Sequence, residues 1–232
     1  MTGRRPVRAG RRSRKVYVVT APASIRGIYD TWDACRAAVS GVAGARYQAV
    51  ASRAVAEAML SGEGLRLEPG AYAFVDGNAM GGIGVVLVEQ GDSGPVSVRD
   101  FGTTVYDVFG RAGIPGLDTR SKITAAIDGL QNILAELGAL YAALREAPPG
   151  PVLTVVHDYE GVGAWLEGRW KVKNPIVAEV VAACRAVIDA RGLPVRFRHQ
   201  RGHESTFAGR NDFAAYNARA DKLATDAALR PA

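Results

Sequence analysis

The sequence predicts an α/β protein made of two units that are joined by a short linker. Residues 16–60 follow the order strand, strand, helix, strand, helix, judged from their apolar periodicity. Residues 61–70, SGEGLRLEPG, hold three glycines and one proline without periodicity, which is typical of a linker. The remaining residues begin with strands and then alternate strands with helices, which indicates an α/β sheet with flanking helices.

The first unit is predicted from short apolar segments and two helix starts. KVYVV and GIY are predicted strands, and GARYQAV is a third. The helical segments TWDACRAAV and SRAVAEAML begin next to Thr31 and Ser52, and both residue types are favourable N-caps. The prediction is therefore a small ββαβα unit.

The strands of the second unit differ in their patterns. Residues 71–75 and 83–89 form two apolar strands around the turn-forming residues Asp-Gly-Asn, which predicts a hairpin. VSVRDFG is predicted to form a third strand, and VRFRH alternates as expected for a later one. VLTVV is an unbroken apolar run, as expected for a strand that is buried on both faces.

Three helices are predicted in the second unit. The first predicted helix covers residues 123–144. The second is NPIVAEVVAACRAVIDAR, which begins at Asn174–Pro175 and ends at Gly192. The last is NDFAAYNARADKLATDAAL. The first of them carries an apolar stripe at the helical spacing, which consists of Ile127, Leu130, Leu134, Leu137, Tyr141 and Leu144.

Composition excludes several classes of protein. The chain has 232 residues, of which 48% are hydrophobic, so it can bury a sizeable core. Cys35 and Cys184 lack the spacing of a zinc site or a disulfide framework. Because there is neither a long apolar run nor a signal sequence, we expect a cytoplasmic protein that does not bind a membrane.

The positive charge is concentrated at the N-terminus. Seven of the 29 Lys and Arg residues lie within residues 1–15, which hold no acid, so 22 basic residues face 23 acidic ones in the rest of the chain. We expect residues 1–15 to be a disordered basic tail that meets phosphates. A solvated tail without a partner and a mitochondrial transit peptide are the alternatives.

Four acids stand at positions where a carboxylate is unusual. Asp76 ends the first hairpin strand, Asp158 follows the apolar strand VLTVVH at the edge where α/β sheets bind ligands, and Glu136 borders the apolar helix stripe. Taken singly, these acids have structural explanations. Asp76 can belong to a turn, Asp158 can be a turn residue or a helix N-cap, and Asp221 can be an ordinary solvated helix charge. If they converge, their repulsion requires cations, and an all-oxygen set suits Mg²⁺ or Mn²⁺.

Two sets of motifs resemble a known family. The segment from residue 71 to about residue 228 resembles type 1 ribonuclease H. The motifs that carry this resemblance are, in order, FVDGN, NILAEL, VVHDYEGVGAW, RGHES and YNARAD. GIYDTWDACRAAVSGVAGARYQAVAS resembles the hybrid-binding domain at the N-terminus of many members. The resemblance implies a ribonuclease H-like fold, a mixed five-stranded sheet with flanking helices, in residues 71–232. A small ββαβα hybrid-binding domain in residues 16–60 precedes it.

The resemblance also implies an activity, hydrolysis of the RNA strand of RNA/DNA hybrids to give 5′-phosphate and 3′-hydroxyl ends. Asp76, Glu136, Asp158 and Asp221 would hold two Mg²⁺ ions about 4 Å apart, with Mn²⁺ as a substitute. One ion would activate water and the other would stabilise the leaving oxygen. His203 matches a mobile loop histidine that is thought to help proton transfer and product release.

The same resemblance implies contacts with the nucleic acid. The backbone at Gly77 and Asn78 would read 2′-hydroxyls, and Asn132 would contact the RNA strand. Trp32 and Tyr47 match aromatic positions that face the DNA strand, where rings stack without sequence preference. Core packing is the alternative for both rings. No protein partner is predicted, and a monomer is expected.

The sequence also departs from the family pattern. Gln48 and Ala49 stand where the hybrid-binding domain has two lysines, and the segments 107–122 and 204–220 are enlarged.

Two other functions stay open. One is a non-catalytic hybrid-binding protein with a decayed nuclease fold. The other is a different two-metal nuclease, such as a resolvase or an integrase, that acts on branched or duplex DNA.

Overall fold

The structure is a computed structural model that describes residues 15–50, 53–61, 65–130, 132–200 and 211–230. Residues 1–14, Ser52, His203 and the 204–210 part of the enlarged loop lie outside the described residues. The described chain forms two compact units. One contains the described residues up to 65 together with Asn211, and the other contains residues 66–130, 132–200 and 212–230.

The first unit is a three-stranded antiparallel sheet with two helices. The sheet has the order β2-β1-β3. Its core is formed by Val16, Val18, Val50 and Ala56. The elements are β1 (Val16–Ala21), β2 (Gly27–Tyr29), α1 (Trp32–Val39), β3 (Arg46–Val50) and α2 (Arg53–Ser61).

The predicted start of α1 is confirmed by its cap. The Oγ1 of Thr31 accepts a hydrogen bond from the backbone N–H of Ala34 at 3.2 Å, which satisfies one of the free donors of the first helical turn. The order strand, strand, helix, strand, helix is also the predicted order. Local signals were sufficient here because each element is short and begins at a turn or a cap.

The second unit is built on a mixed five-stranded sheet of the order β6-β5-β4-β7-β8. The first three strands form an antiparallel meander, while β7 runs parallel to β4 and β8 runs parallel to β7. The predicted fold class is therefore confirmed. The strands are β4 (Gly70–Gly77), β5 (Gly82–Gly91), β6 (Gly94–Thr104), β7 (Leu153–His157) and β8 (Val195–His199).

Helices flank this sheet on both of its faces. The predicted helix over residues 123–144 is described in two helical parts, which end at Leu130 and begin at Asn132, and Gln131 between them lies outside the described residues. The helices are α3 (Val105–Phe109), α4 (Arg120–Leu130), α5 (Asn132–Glu146), α6 (Glu160–Leu166), α7 (Pro175–Arg191) and α8 (Asp212–Ala228).

The enlarged segment 107–122 is a folded part of the second unit. It contains the end of α3, a 3-10 helix at Pro115–Leu117 and the first turn of α4. Phe109, Ile114 and Leu117 are buried in the main core. The insertion thus extends the hydrophobic core beside α5, which the sequence pattern did not indicate.

Helices α5 and α8 lie on opposite faces of the sheet, and glycines bring them close to it. A Cβ atom at Gly77 would lie 2.2 Å from the carbonyl carbon of Ala135 in α5. On the other face, a Cβ atom at Gly84 would lie 1.9 Å from the carbonyl oxygen of Ala220 in α8. The backbone of each helix therefore rests directly on a strand, at distances that no other residue type allows.

We expect Gly84→Ala to lower the free energy of unfolding by about 1 to 3 kcal/mol, because the added methyl group would push α8 off the sheet. Gly129→Ala is the matched control. An added Cβ atom there meets no atom within 4 Å, and alanine favours the helix by about 1 kcal/mol. Urea unfolding of both variants tests this, and equal stability of Gly84→Ala and the wild type would contradict the packing.

Candidate active site

Asp76 is a strand residue and the turn that follows is made by another side chain. Asp76 pairs with Gly84 inside the β4–β5 ladder and is only 8% exposed. The Oδ1 of Asn78 accepts hydrogen bonds from the backbone N–H groups of Met80 at 3.1 Å and Gly82 at 3.0 Å. Since Asn78 makes the turn, the structure gives Asp76 no role in it.

Glu136 reaches the same end of the sheet from the opposite face. It lies on α5, and its side chain is 2% exposed. Alternation along β4 places Asp76 on the face of α8 and Gly77 on the face of α5. Because Gly77 has no side chain, the start of α5 can approach the strand end and bring Glu136 to it.

Asp158 reaches this site through strand pairing. β7 lies beside β4 in parallel, with Val156 opposite Phe74, so the carboxyl ends of both strands meet at one edge. Asp158 follows the last residue of β7 in a bend, and the N-cap of α6 is Tyr159. Asp158 is therefore not the helix cap that the sequence offered as an alternative.

The structure brings three of the four predicted carboxylates into one cluster and places the fourth near Asp76. One carboxylate oxygen each of Asp76, Glu136 and Asp158 lie within 4.8 Å of one another. Asp221 lies on α8 and is exposed, but it is close enough to Asp76 to raise the pKa of that carboxyl. The sequence alone gave Asp221 no reason to differ from an ordinary solvated helix charge.

Burial and mutual repulsion oppose ionisation of this cluster. Desolvation, followed by the charges of Asp158 and Asp221, raises the pKa of Asp76 from 3.8 to about 7. Desolvation and then the charges of Asp158 and Asp76 raise the pKa of Glu136 well above its usual value. The backbone N–H of Gly77 acts in the other direction on both pKa values, but its effect is smaller.

The cluster fits divalent cations of the hard, oxygen-binding kind. Its donors are all carboxylate oxygens, and the Oε2 of Glu136 is buried without a hydrogen-bond partner in the described chain. A cation would offset the repulsion that raises these pKa values and would satisfy the buried oxygen. Asp76, Glu136 and Asp158, with Asp221 beside Asp76, are the residues that could hold it.

Two predicted binding residues of the second unit, Asn132 and Asn78, lie on or next to elements that carry the cluster. Asn132 is exposed on α5, one helical turn before Glu136. The backbone N–H of Asn78 donates to Gly82 at 3.1 Å, whereas its side-chain Nδ2 is buried and lacks a partner within the described residues. The backbone N–H of Asn78, which the resemblance assigned to the 2′-hydroxyls, is therefore already bonded within the chain. His203 lies outside the described residues.

One further polar side chain near the cluster was missed by the sequence analysis. Asn217 lies one helical turn before Asp221 on α8, and its Oδ1 is buried without a partner in the parts of the chain that the structure describes. The spacing of four residues places both side chains on the same helix face. That spacing was the available signal, but it gained meaning only once Asp221 was located.

The predicted aromatic residues of the first unit are surface residues. Trp32 is 39% exposed and Tyr47 is 47% exposed, so the alternative of core packing is wrong for both. The ring of Trp32 lies between Tyr47, at 5.6 Å between centroids, and Tyr17, at 5.5 Å. Tyr17 joins them across the sheet, and local sequence spacing did not single it out.

Comparisons with known proteins identify the first unit. Residues 15–60 match the family described as the ribonuclease H1 N-terminal domain. This confirms the predicted resemblance of residues 16–60. A comparison with curated proteins finds no match to the chain.

Solved ribonuclease H1 structures are similar to about two thirds of the chain. The enzyme from the archaeon Halobacterium salinarum is 25% identical, with 68% of this chain and 96% of that chain covered and a TM-score of 0.46. A compost metagenomic enzyme, LC11-RNase H1 in complex with an RNA/DNA hybrid, is 20% identical, with 68% and 95% covered and a TM-score of 0.44. The N-terminal ribonuclease H domain of a Mycobacterium tuberculosis protein is also 20% identical, with 68% and 94% covered and a TM-score of 0.40.

Among the described residues, no helix combines the length and the hydropathy that crossing a bilayer would require.

The raised pKa of Asp76 predicts how stability depends on pH without metal. Between pH 4 and pH 7 the folded state binds more protons than the unfolded state, so the free energy of unfolding falls as pH rises through this range. We expect Asp76→Asn to remove part of this slope and to raise the free energy of unfolding at pH 8 by about 2 to 4 kcal/mol.

Urea unfolding in EDTA at several pH values measures this effect. Asp128→Asn, an exposed acid on α4, is the control with the same change of charge. Identical pH profiles for Asp76→Asn and the wild type would contradict the repulsion that the geometry implies.

Proposed function

We propose that this protein is an endoribonuclease that hydrolyses the RNA strand of RNA/DNA hybrids. The observation that carries the proposal is the convergence of Asp76, Glu136 and Asp158 within 4.8 Å, with Asp221 near Asp76, at one edge of a mixed sheet. The match of residues 15–60 to the ribonuclease H1 N-terminal domain supports the same conclusion independently, because it rests on a different part of the chain.

The carboxylates have roles that follow from where they are held. Asp76 is fixed by the β4–β5 ladder and lies near acids from both sheet faces, so it would help to hold the Mg²⁺ or Mn²⁺ ions. Glu136 and Asp158 complete the set on one side, and Asp221 completes it on the other. When bound, the cations would supply activation of water and stabilisation of charge on the scissile phosphate and the leaving oxygen.

Attack by water on the RNA phosphate, with departure of the 3′-oxygen, leaves 5′-phosphate and 3′-hydroxyl ends. The raised pKa values of Asp76 and Glu136 mean that both carboxyls must lose protons before cations bind at neutral pH. Activity is therefore expected to rise from acidic to neutral pH. His203 keeps its proposed role in proton transfer and product release.

Selection for RNA is proposed to come from polar groups around the cluster. Asn132 lies exposed one turn before Glu136, and Asn78 directly follows the end of β4. With the backbone at Gly77, these groups would contact the RNA strand, where a 2′-hydroxyl distinguishes RNA from DNA.

The first unit is proposed to bind the DNA strand of the hybrid. The rings of Tyr17, Trp32 and Tyr47 form a continuous surface on which sugars and bases can stack without sequence preference. The side chain of Gln48, at a position where the family has lysine, donates to the sulfur of Met59 at 3.2 Å. Ala49 adds no charge, so we propose that the basic tail supplies the electrostatic attraction.

Cleavage of end-labelled RNA paired with DNA tests the function directly. We expect cutting of the RNA strand with Mg²⁺ and none with EDTA. Duplex DNA, double-stranded RNA and single-stranded RNA should remain intact. Asp158→Asn should lower kcat at least 100-fold, because it removes one charge from the cluster, while Asp128→Asn should cleave as the wild type does.

Two outcomes would overturn the proposal. Tight binding of the hybrid without cleavage would favour the non-catalytic hybrid-binding protein. Cleavage of branched or duplex DNA in place of the hybrid would favour a different two-metal nuclease.

The aromatic surface predicts a separate effect on binding. Trp32→Ala should raise KM for a long hybrid about 5- to 50-fold, since stacking on one aromatic ring contributes about 1 to 3 kcal/mol. The single-turnover rate at saturating enzyme should stay within twofold of the wild type, because Trp32 is not part of the carboxylate cluster. Loss of that rate with unchanged KM would contradict the division between binding and chemistry.

A further inference from the structure

Asp158 differs from the other three carboxylates in how its backbone is held. Asp76 lies in a strand, and Glu136 and Asp221 lie within helices, so regular hydrogen bonds fix their main chains. Asp158 lies in a bend between β7 and α6. The charges of Asp76 and Glu136 repel its carboxylate, so this bend must be fixed by other contacts if the cluster is to persist.

Two histidine side chains provide these contacts. The Nδ1 of His157 lies 2.9 Å from the carbonyl oxygen of Tyr159, and the Nε2 of His199 lies 2.7 Å from the carbonyl oxygen of Asp158. A carbonyl only accepts, so each of these ring nitrogens carries the proton and donates it. The backbone N–H of Gln200 donates to the carbonyl of His157 at 2.8 Å. Three successive carbonyls, those of residues 157 to 159, are thus bonded.

The sheet and α6 hold both rings in place. His157 and His199 are paired residues of β7 and β8, and their ring centroids lie 5.8 Å apart. His157 is 1% exposed, and a Cβ atom at Gly163 in α6 would lie 2.9 Å from its Nε2. Because α6 packs directly on this ring, it restricts rotation of the ring away from Tyr159.

We propose that His157 and His199 are positioning residues that hold the bend at Asp158, so that its carboxylate stays in the metal-binding cluster. This inference rests on the proposed function for its catalytic consequence. Its structural consequence, the affinity of the cluster for a divalent cation, can be measured without any nucleic acid. His199 is the better residue to test because it is exposed, whereas His157 is buried and its replacement would disturb the core.

Two variants of His199 separate the hydrogen bond from the ring. His199→Gln keeps an N–H donor at a similar distance along the side chain, while His199→Leu keeps a similar volume without a donor. We expect His199→Leu to weaken Mn²⁺ binding to the full-length protein about 10-fold, measured by isothermal titration calorimetry. His199→Gln should stay within about threefold of the wild type. In hybrid cleavage, His199→Leu should lower kcat at subsaturating Mg²⁺ and leave KM unchanged.

A double-mutant cycle distinguishes positioning from a general loss of structure. In the Asp158→Asn background, His199→Leu should have no further effect on Mn²⁺ affinity, because the carboxylate that it positions is already gone. An equal loss in both backgrounds would overturn the proposal, and so would wild-type Mn²⁺ affinity for His199→Leu or equal impairment of the Gln and Leu variants. If the wild type bound Mn²⁺ but did not cleave the hybrid, the proposed function would fail while the titrations still decided this inference.

Discussion

The repulsion between buried carboxylates is the constraint on which the rest of the second unit depends. Two unit charges 4.8 Å apart repel each other by about 3 kcal/mol at the effective dielectric of a protein site, and burial adds to this cost. A cluster of this kind persists only if the surrounding structure is stable enough to hold it. The large core around α5 and the five-stranded sheet provide that stability.

The arrangement of the acids distributes this cost over independent elements. Asp76 depends on a central strand, Glu136 on a helix of one face, and Asp221 on a helix of the other face. The close approach of both helices requires glycine at Gly77 and Gly84. The same glycines therefore serve packing and chemistry, since a side chain at either position would move a helix that carries an acid.

The sequence predicted the elements well and their convergence poorly. Apolar patterns predicted the strands, and the capping residues predicted both ends of α7. These predictions succeeded because the residues that mark a strand or a helix end lie within a few positions of it. Asp76 and Asp158 were placed at strand ends for the same reason. Their proximity depends on β7 pairing with β4, across about 80 residues, and no local pattern encodes that pairing. Without the family resemblance, Asp221 would have stayed an ordinary helix charge.

What the sequence missed has a common physical cause. The burial of segment 107–122 and the role of Tyr17 depend on contacts with distant elements. The histidines at positions 157 and 199 are a sharper case. Each looked like the last residue of an apolar or alternating strand, and only the parallel register of β7 with β8 places both beside the bend at Asp158.

This register also explains why the bend can tolerate a charge that its neighbours repel. An exposed hydrogen bond contributes only about 1 kcal/mol, so neither histidine alone offsets the repulsion. The two side-chain bonds and the bond from Gln200 act on three adjacent carbonyls, and α6 restricts rotation of the buried ring. A displacement of Asp158 strains all three bonds, so their combined resistance is larger than that of a single contact.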